Sequence, residues 1–219
     1  MNKIKVLNLY ACLGGNRLKW DNCDVTAVEL DHVLAKLYQE RFPNDTVIIA
    51  DAHQYLLDHY KEFDFIWSSP PCPSHSRVRI SQKNRQNFVA VYPDMKLYEE
   101  IIFLDNYFNG KYVVENVIPY YNPLIKAQKR GRHLYWCNFI LPNNIGERKV
   151  FKNMIETGDI KQLSEFHDYD FNKYILGGGK QRLNKIARNL VDYKAGETIF
   201  QTAFGIINKP KSSQAELFV

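Results

Sequence analysis

One cysteine in the sequence stands in a setting that would hold its sulfur still: Ser69-Pro70-Pro71-Cys72-Pro73, just past the apolar run Phe63 to Trp67. Prolines fix φ and remove backbone donors, so a Pro-Pro-Cys-Pro segment after a strand presents its thiol from a rigid loop. A thiol attacks as its thiolate, a minor form at neutral pH that positive neighbours favour. Arg77, Arg79, Lys83 and Arg85 follow Cys72, and no acidic residue occurs from Arg77 to Pro93. Burial is the common fate of a cysteine, but this one lies in loop chemistry outside an apolar run. Glu115 is the second reactive group, at the end of Val113-Val114 and before Asn116-Val117. A carboxyl in a semi-apolar pocket can donate a proton or hydrogen bond as well as accept one; without Cys72, Glu115 would read as an ordinary strand-end acid.

Three further positions form a nucleoside-shaped set. Gly14-Gly15 follows the first apolar run and permits either a plain tight turn or a close backbone approach to a ligand. Glu29 closes the second run, where a carboxylate can accept from both hydroxyls of a ribose; alone it would read as a surface acid. Asp51 closes the third and can meet an adenine amine or cap a helix.

These residues need elements to position them, and the periodicity supplies them. Ile4 to Tyr10, Val25 to Leu30, Thr46 to Ala50 and Phe63 to Trp67 read as strands. Val33 to Phe42 reads as an amphipathic helix ended by Pro43, and Leu97 to Phe108 as another. Lys111 to Val117 follows the Asn109-Gly110 turn as a fifth strand, and Arg132 to Phe139 is a further apolar strand. Nearly continuous apolar strands alternating with helices predict an α/β fold with a doubly wound, mostly parallel sheet. Ligands on such sheets bind beyond the carboxyl ends of the strands, where the reactive residues above accumulate.

The 219 residues, 45% hydrophobic and 14% aromatic, suffice for one domain with a buried core, which excludes wholesale disorder. No apolar run approaches the roughly 18 residues needed to span a bilayer, and no signal-peptide pattern opens the chain, so the expectation is a soluble cytoplasmic protein with no membrane partner. Cys12, Cys23, Cys72 and Cys137 are scattered without a CxxC pair, against a metal site or a disulfide framework. Ten acidic residues face three basic ones from Asp21 to Asp64, leaving 14 acidic against 26 basic elsewhere. Positive charge confined in this way suits a face that meets a polyanion, or a solvated basic surface.

Asn8 to Gly15, Glu29, Asp51, Pro-Pro-Cys at 70 to 72, Glu-Asn-Val at 115 to 117 and Gln128-Lys129-Arg130-Gly131-Arg132 resemble, in order and spacing, the motifs of the DNA (cytosine-5)-methyltransferases. The resemblance covers roughly residues 3 to 139. It implies a Rossmann-like catalytic domain over residues 1–139, a small target-recognition module at 140–188, and a C-terminal segment, 189–219, packing back on the catalytic domain. It implies S-adenosylmethionine as methyl donor and double-stranded DNA as partner. Cys72 would add to C6 of cytosine, Glu115 would hold N3 and the exocyclic amine, Arg132 would engage O2 and Arg130 would support the site. The cofactor would rest against Tyr10, Leu13, Gly14 and Gly15, with Glu29 on the ribose, Leu30 beside the adenine, Asp51 at its amine, and Ala52, Pro71 and Leu97 also binding it. The target base would be flipped from the duplex. Ser76, Arg77, Arg79, Lys83 and Arg85 would belong to a loop that closes on DNA.

The sequence departs from the family pattern at defined places. Asn8 stands for the usual Asp, Cys12 for Gly, and Pro73 and His75 for Gln and Phe. Gln128 follows Glu115 by only thirteen positions, where typical members fit a helix and a strand. The closing Gln-x-Gly-Asn-Ala motif is missing, with Thr198 to Gly205 in its place. The minimal, phage-like size leaves target recognition to a short region bearing Arg148, Lys149, Lys152, Lys180, Arg182 and Lys185, together with Gly177 to Gly179. A degenerate DNA-binding module of the same fold and an RNA cytosine-5 methyltransferase are the alternatives.

Overall fold

The computed structural model describes residues 3–146, 160–171, 186–187 and 190–206. A seven-stranded sheet forms from β1 (Ile4–Leu9), β2 (Cys23–Val28), β3 (Thr46–Ile48), β4 (Phe65–Ser68), β5 (Lys111–Val117), β6 (Gln128–Arg130) and β7 (His133–Cys137). Their order is β3-β2-β1-β4-β5-β7-β6. The five strands from β3 to β5 are parallel, while β7 runs antiparallel to β5 and β6 antiparallel to β7. The expected α/β, mostly parallel architecture is therefore the observed one. The chain winds outward through β1, β2 and β3, then returns to add β4 and β5 on the other side of β1. That reversal opens a crevice at the carboxyl ends of β1 and β4, where Leu9 pairs with Ser68.

Helices α1 (His32–Arg41), α2 (Ala52–His59), α3 (Arg77–Ser81), α4 (Lys96–Tyr107), α5 (Ile160–His167) and α6 (Tyr193–Ala203) accompany the sheet, with short 3-10 turns at Asn16–Lys19 and Tyr60–Glu62. Asp31 starts α1 by accepting from the Val33 and Leu34 amides, and Asp51 starts α2 in the same way through His53 and Gln54. Periodicity does not mark α2 in the sequence, because its apolar residues span barely two turns. α2 and α4 cover one face of the sheet, where Leu56, Leu97, Ile101 and Leu104 pack against Leu7, Leu9, Ile66 and Val114. α6 covers the other face: Ile199 and Phe200 join Trp20, Phe65, Trp67, Val113 and Tyr135. Trp20 stacks on Phe200 at 5.3 Å and donates to the Gly196 carbonyl. A Cβ at Gly196 would lie 2.2 Å from the Asn16 carbonyl oxygen, so glycine is what lets α6 seat this closely.

α5 and the residues after it contribute Leu163, Phe171, Ile186, Ala187 and Leu190 to a third cluster with Leu13, Leu34 and Leu37. Arg148, Lys149, Lys152, Gly177 to Gly179, Lys180, Arg182 and Lys185 lie outside the described residues. Among the described residues, no helix is long and apolar enough to cross a membrane, and no His, Cys, Asp and Glu group could hold a metal ion.

Candidate active site

Two cavities open in the crevice and share a wall. The larger, about 620 Å³, is bordered by Glu29, Leu30, Asp31, Leu34, Asp51, Ala52, Asp94 and Lys96, and meets the smaller at Tyr10, Cys12 and Pro71. The smaller, about 390 Å³, holds Cys72, Glu115, Asn116, Arg132 and His133 over a floor of Asn8, Gly15 and Asn16.

The larger cavity is of the size that small-molecule sites have, and carboxylates and an exposed leucine border it. Glu29 accepts from the Cys12 amide at 2.8 Å and the Asp31 amide at 2.9 Å, one bond per oxygen, which fixes the carboxylate and leaves each oxygen further acceptor capacity. Asp51 uses Oδ1 for its helix cap, while Oδ2 faces the Lys96 ammonium at 3.7 Å. The Gln54 amide chiefly, with help from Lys96, holds the Asp51 carboxyl below its usual range. Leu30 is 65% exposed on this wall, an apolar surface suited to the face of a base. Tyr10 and Cys12 both have positive φ, 55° and 48°, the bend that turns the chain off β1 around the cavity. Burial, with Glu29 second, pushes the Cys12 thiol up to about 12.

Glu100 ties this wall to the cysteine loop. Its side chain is fully buried and accepts from Tyr10 Oη at 2.6 Å, Ser68 Oγ at 2.5 Å and His53 Nδ1 at 3.0 Å. The bond to Glu100 chiefly raises the His53 imidazole above its ordinary value. Sequence reasoning does not single out Glu100, although a signal exists: on α4 it lies between Leu97, Ile101 and Leu104 on the buried face, a charged residue at an apolar position.

The cysteine loop is braced on its far side. Asn116 Nδ2 donates to the Pro70 carbonyl at 2.9 Å, and the His75 and Ser76 amides donate to the Cys72 carbonyl. His75 is buried against Tyr121, with the Tyr120 amide on its carbonyl and Ser76 bridged to Pro119. Burial lowers the His75 imidazole below its ordinary value. The short connection after β5 thus takes part in supporting the loop. Asn8 and Asn16 pair through their amides at 2.8 Å beneath the cavity, so Asn8 is tied into a buried polar contact.

The structure brings together Tyr10, Glu29, Leu30, Asp51, Ala52 and Pro71 in one cavity, and Cys72, Glu115, Arg132 and Gly15 in the other. Four expected residues lie elsewhere. Leu97 is 3% exposed in the core under α4; Asp94 and Lys96, just before it, line the cavity instead. Leu13 is buried in the cluster with Leu34 and Leu163, because the chain has already turned away from the crevice. Gly14, at φ +66°, makes room for the rings of Tyr38 and Phe42, which a Cβ would meet at 2.7 and 2.5 Å. Gly15 lines the smaller cavity, yet its close approach is to the chain itself: a Cβ there would stand 2.3 Å from the Val191 carbonyl oxygen. Arg130 points away from Cys72: its guanidinium donates to the carbonyls of Lys129, Leu141 and Pro142 and clasps the chain after β7. Arg132 falls in the turn before β7, beside Gly131 at φ +49°, where it reaches the cavity.

Ser76 caps α3 through the Val78 amide, Arg77 donates to the Pro119 carbonyl and Arg79 to the Val89 carbonyl. Arg79 and Arg85 border a separate hollow of about 530 Å³ with Gln82, Gln86 and Asn87, an exposed basic and amide-rich surface that also includes Lys83 nearby.

Comparison with curated proteins found no match. Among solved structures, the Entamoeba histolytica methyltransferase EhMeth superposes with a TM-score of 0.57 at 11% identity, over 95% of this chain and 100% of that one. A Spodoptera frugiperda DNMT2 mutant aligns with a TM-score of 0.43 at 15% identity, over 86% of this chain and 84% of that one. The EhMeth likeness carries the fold. The family model for C-5 cytosine-specific DNA methylases matches residues 4–117, the stretch that holds β1 to β5, the lining of the larger cavity, Cys72 and Glu115. That stretch is more than half of the sequence, and the chain belongs to the C-5 cytosine-specific DNA methylase family, whose methyl donor is S-adenosylmethionine.

Proposed function

We propose that the protein methylates C5 of cytosine in double-stranded DNA through a covalent adduct on Cys72. The observation that carries this reading is the shared wall: the cavity holding Cys72, Glu115 and Arg132 meets the nucleoside-shaped cavity at Tyr10, Cys12 and Pro71. A base in one and a methyl donor in the other would therefore meet at a common edge.

S-adenosylmethionine, when bound, supplies an electrophilic methyl group. Glu29 would hold its ribose hydroxyls, Leu30 one face of its adenine and Asp51 Oδ2 the exocyclic amine. Cytosine C5 is a poor nucleophile until the C5–C6 double bond is broken. The Cys72 thiolate adds to C6, and the displaced electron pair spreads to N3 and C5. Glu115 hydrogen-bonds N3 and the exocyclic amine and stabilises that charge, while the Arg132 guanidinium holds O2. After C5 is alkylated, its proton passes to solvent water, the C5–H electron pair re-forms the C5–C6 double bond, and the Cys72 sulfur leaves C6 as a thiolate. A stacked base cannot present its C6 to a thiol that lines a cavity, so the cytosine leaves the duplex, at a cost of about a few kcal/mol. The basic surface around Arg79, Lys83 and Arg85 would meet the phosphates.

Incubation with methyl-labelled cofactor and either duplex DNA or transfer RNA tests the reading. Label at cytosine C5 in DNA, absent with Cys72→Ala although that variant still binds cofactor, is the expected result. Label in RNA alone would reassign the substrate, and label from Cys72→Ala would remove the nucleophile.

A further inference from the structure

The smaller cavity holds an imidazole that the reaction above does not use. His133 opens β7 on the sheet face that carries Glu115: Glu115 pairs with Tyr135 and Val117 with His133, which makes Glu115 and His133 diagonal neighbours. His133 Nε2 lies 3.5 Å from Glu115 Oε1, and the two side chains are only 23% and 9% exposed. Both border the space that holds Cys72 and Arg132.

The geometry points to His133 as a positioning residue for Glu115 and as the source of the proton that this carboxyl delivers to N3. The assignment rests on the roles of Cys72 and Glu115 proposed above. When the Cys72 sulfur bonds to C6, the C5–C6 π pair moves toward N3, which then needs a proton. The proton on His133 Nε2 passes to Glu115, and Glu115 passes one on to N3. The thiolate's negative charge and the imidazolium's positive charge are thereby both neutralised, and Glu115 is again a carboxylate. When the C5 proton has left and the carbon–sulfur bond breaks, N3 returns its proton by the same route. Without His133, Glu115 would draw this proton from solvent in a cavity closed by the bound base.

Other charged or titratable groups lie around the pair. Tyr10, Cys12, Cys72 and Arg132 share the cavity. Tyr135 on β7 meets the His133 ring edge-on at 6.3 Å. Arg130, opposite His133 on β6, spends its guanidinium on backbone carbonyls.

The test is the pH dependence of single-turnover methyl transfer to duplex DNA by the wild-type chain and by His133→Gln, which keeps a hydrogen-bonding group beside Glu115 but no titratable proton. Thiolate formation makes the rate rise with pH, whereas a protonated imidazole is lost as pH rises. The wild type should show a bell, and His133→Gln a rate at least about tenfold lower at the optimum that climbs to a plateau without a falling basic limb. Affinity for S-adenosylmethionine should be unchanged. His133→Asn provides the same readout if the glutamine variant fails to fold. An unchanged bell in an active variant overturns the role of His133 and leaves the methylation reading standing; no transfer by the wild type overturns both.

Discussion

Removing the Glu100 carboxyl should loosen the wall of the larger cavity and the cysteine loop together. Its oxygens take the Tyr10 hydroxyl at 2.6 Å, the Ser68 hydroxyl at 2.5 Å and the His53 ring at 3.0 Å, with no exposure of the side chain. Glu100→Ala strands the buried Ser68 hydroxyl and the half-buried Tyr10 hydroxyl, at about 1–3 kcal/mol each, for a loss of roughly 4 kcal/mol. At about 2–4 °C per kcal/mol for a chain of this size, that is a fall of roughly 8–16 °C in Tm. Glu100→Gln keeps an acceptor and the shape but removes charge assistance, and should cost about 1–2 kcal/mol. Because Tyr10 borders both cavities, the glutamine variant should also bind S-adenosylmethionine about tenfold more weakly, equivalent to about 1.4 kcal/mol. Thermal melting and titration calorimetry with the cofactor measure the two effects separately. A Glu100→Gln protein that melts with the wild type and binds cofactor equally well would refute the idea that this carboxyl holds the wall in place.

Two other perturbations follow from the same geometry. Asp51→Ala removes the cap of α2, costing about 1 kcal/mol of stability, and also removes the Oδ2 that faces Lys96 in the larger cavity, the one proposed for the cofactor. Calorimetry should show weakened cofactor binding, and undiminished affinity would return Asp51 to a capping role alone. His53 has its imidazole raised above 6.5, mainly by Glu100. A group whose folded-state value lies above its unfolded one contributes stability that is complete below the unfolded value and lost as pH rises through the folded one. Tm should therefore decline from mildly acidic toward mildly alkaline pH, and less so in His53→Gln; parallel declines would exclude His53 as the cause.

Much of this is legible in the sequence because strand periodicity and strand-end chemistry are local signals. β1, β2, β4 and β5 are mostly apolar runs, and Glu29, Asp51, Cys72 and Glu115 each follow from where an apolar run stops. What is not legible depends on partners far away in sequence. Gly14 and Gly15 read as a ligand-approaching pair, yet their lack of a Cβ makes room for Tyr38, Phe42 and Val191. Arg130 and Arg132 are two positions apart and of the same type; only the turn at Gly131 and the path after β7 decide that one clasps backbone and the other reaches the cavity. Leu97 lies too deep to meet a cofactor, since the start of α4 at Lys96 decides which residue of that segment faces the crevice. Glu100 and His133 owe their surroundings to residues up to ninety positions away, which no local pattern encodes.

The central claim is that Cys72 forms a bond to cytosine, and duplex DNA containing 5-fluorocytosine tests it most directly, because the fluorine at C5 cannot leave as a proton does. In the presence of S-adenosylmethionine, the wild-type chain should accumulate a denaturation-resistant adduct whose mass includes the methylated base, and peptide mapping should locate it at Cys72. No adduct with a protein that methylates ordinary cytosine, or an adduct on another residue, would contradict the account.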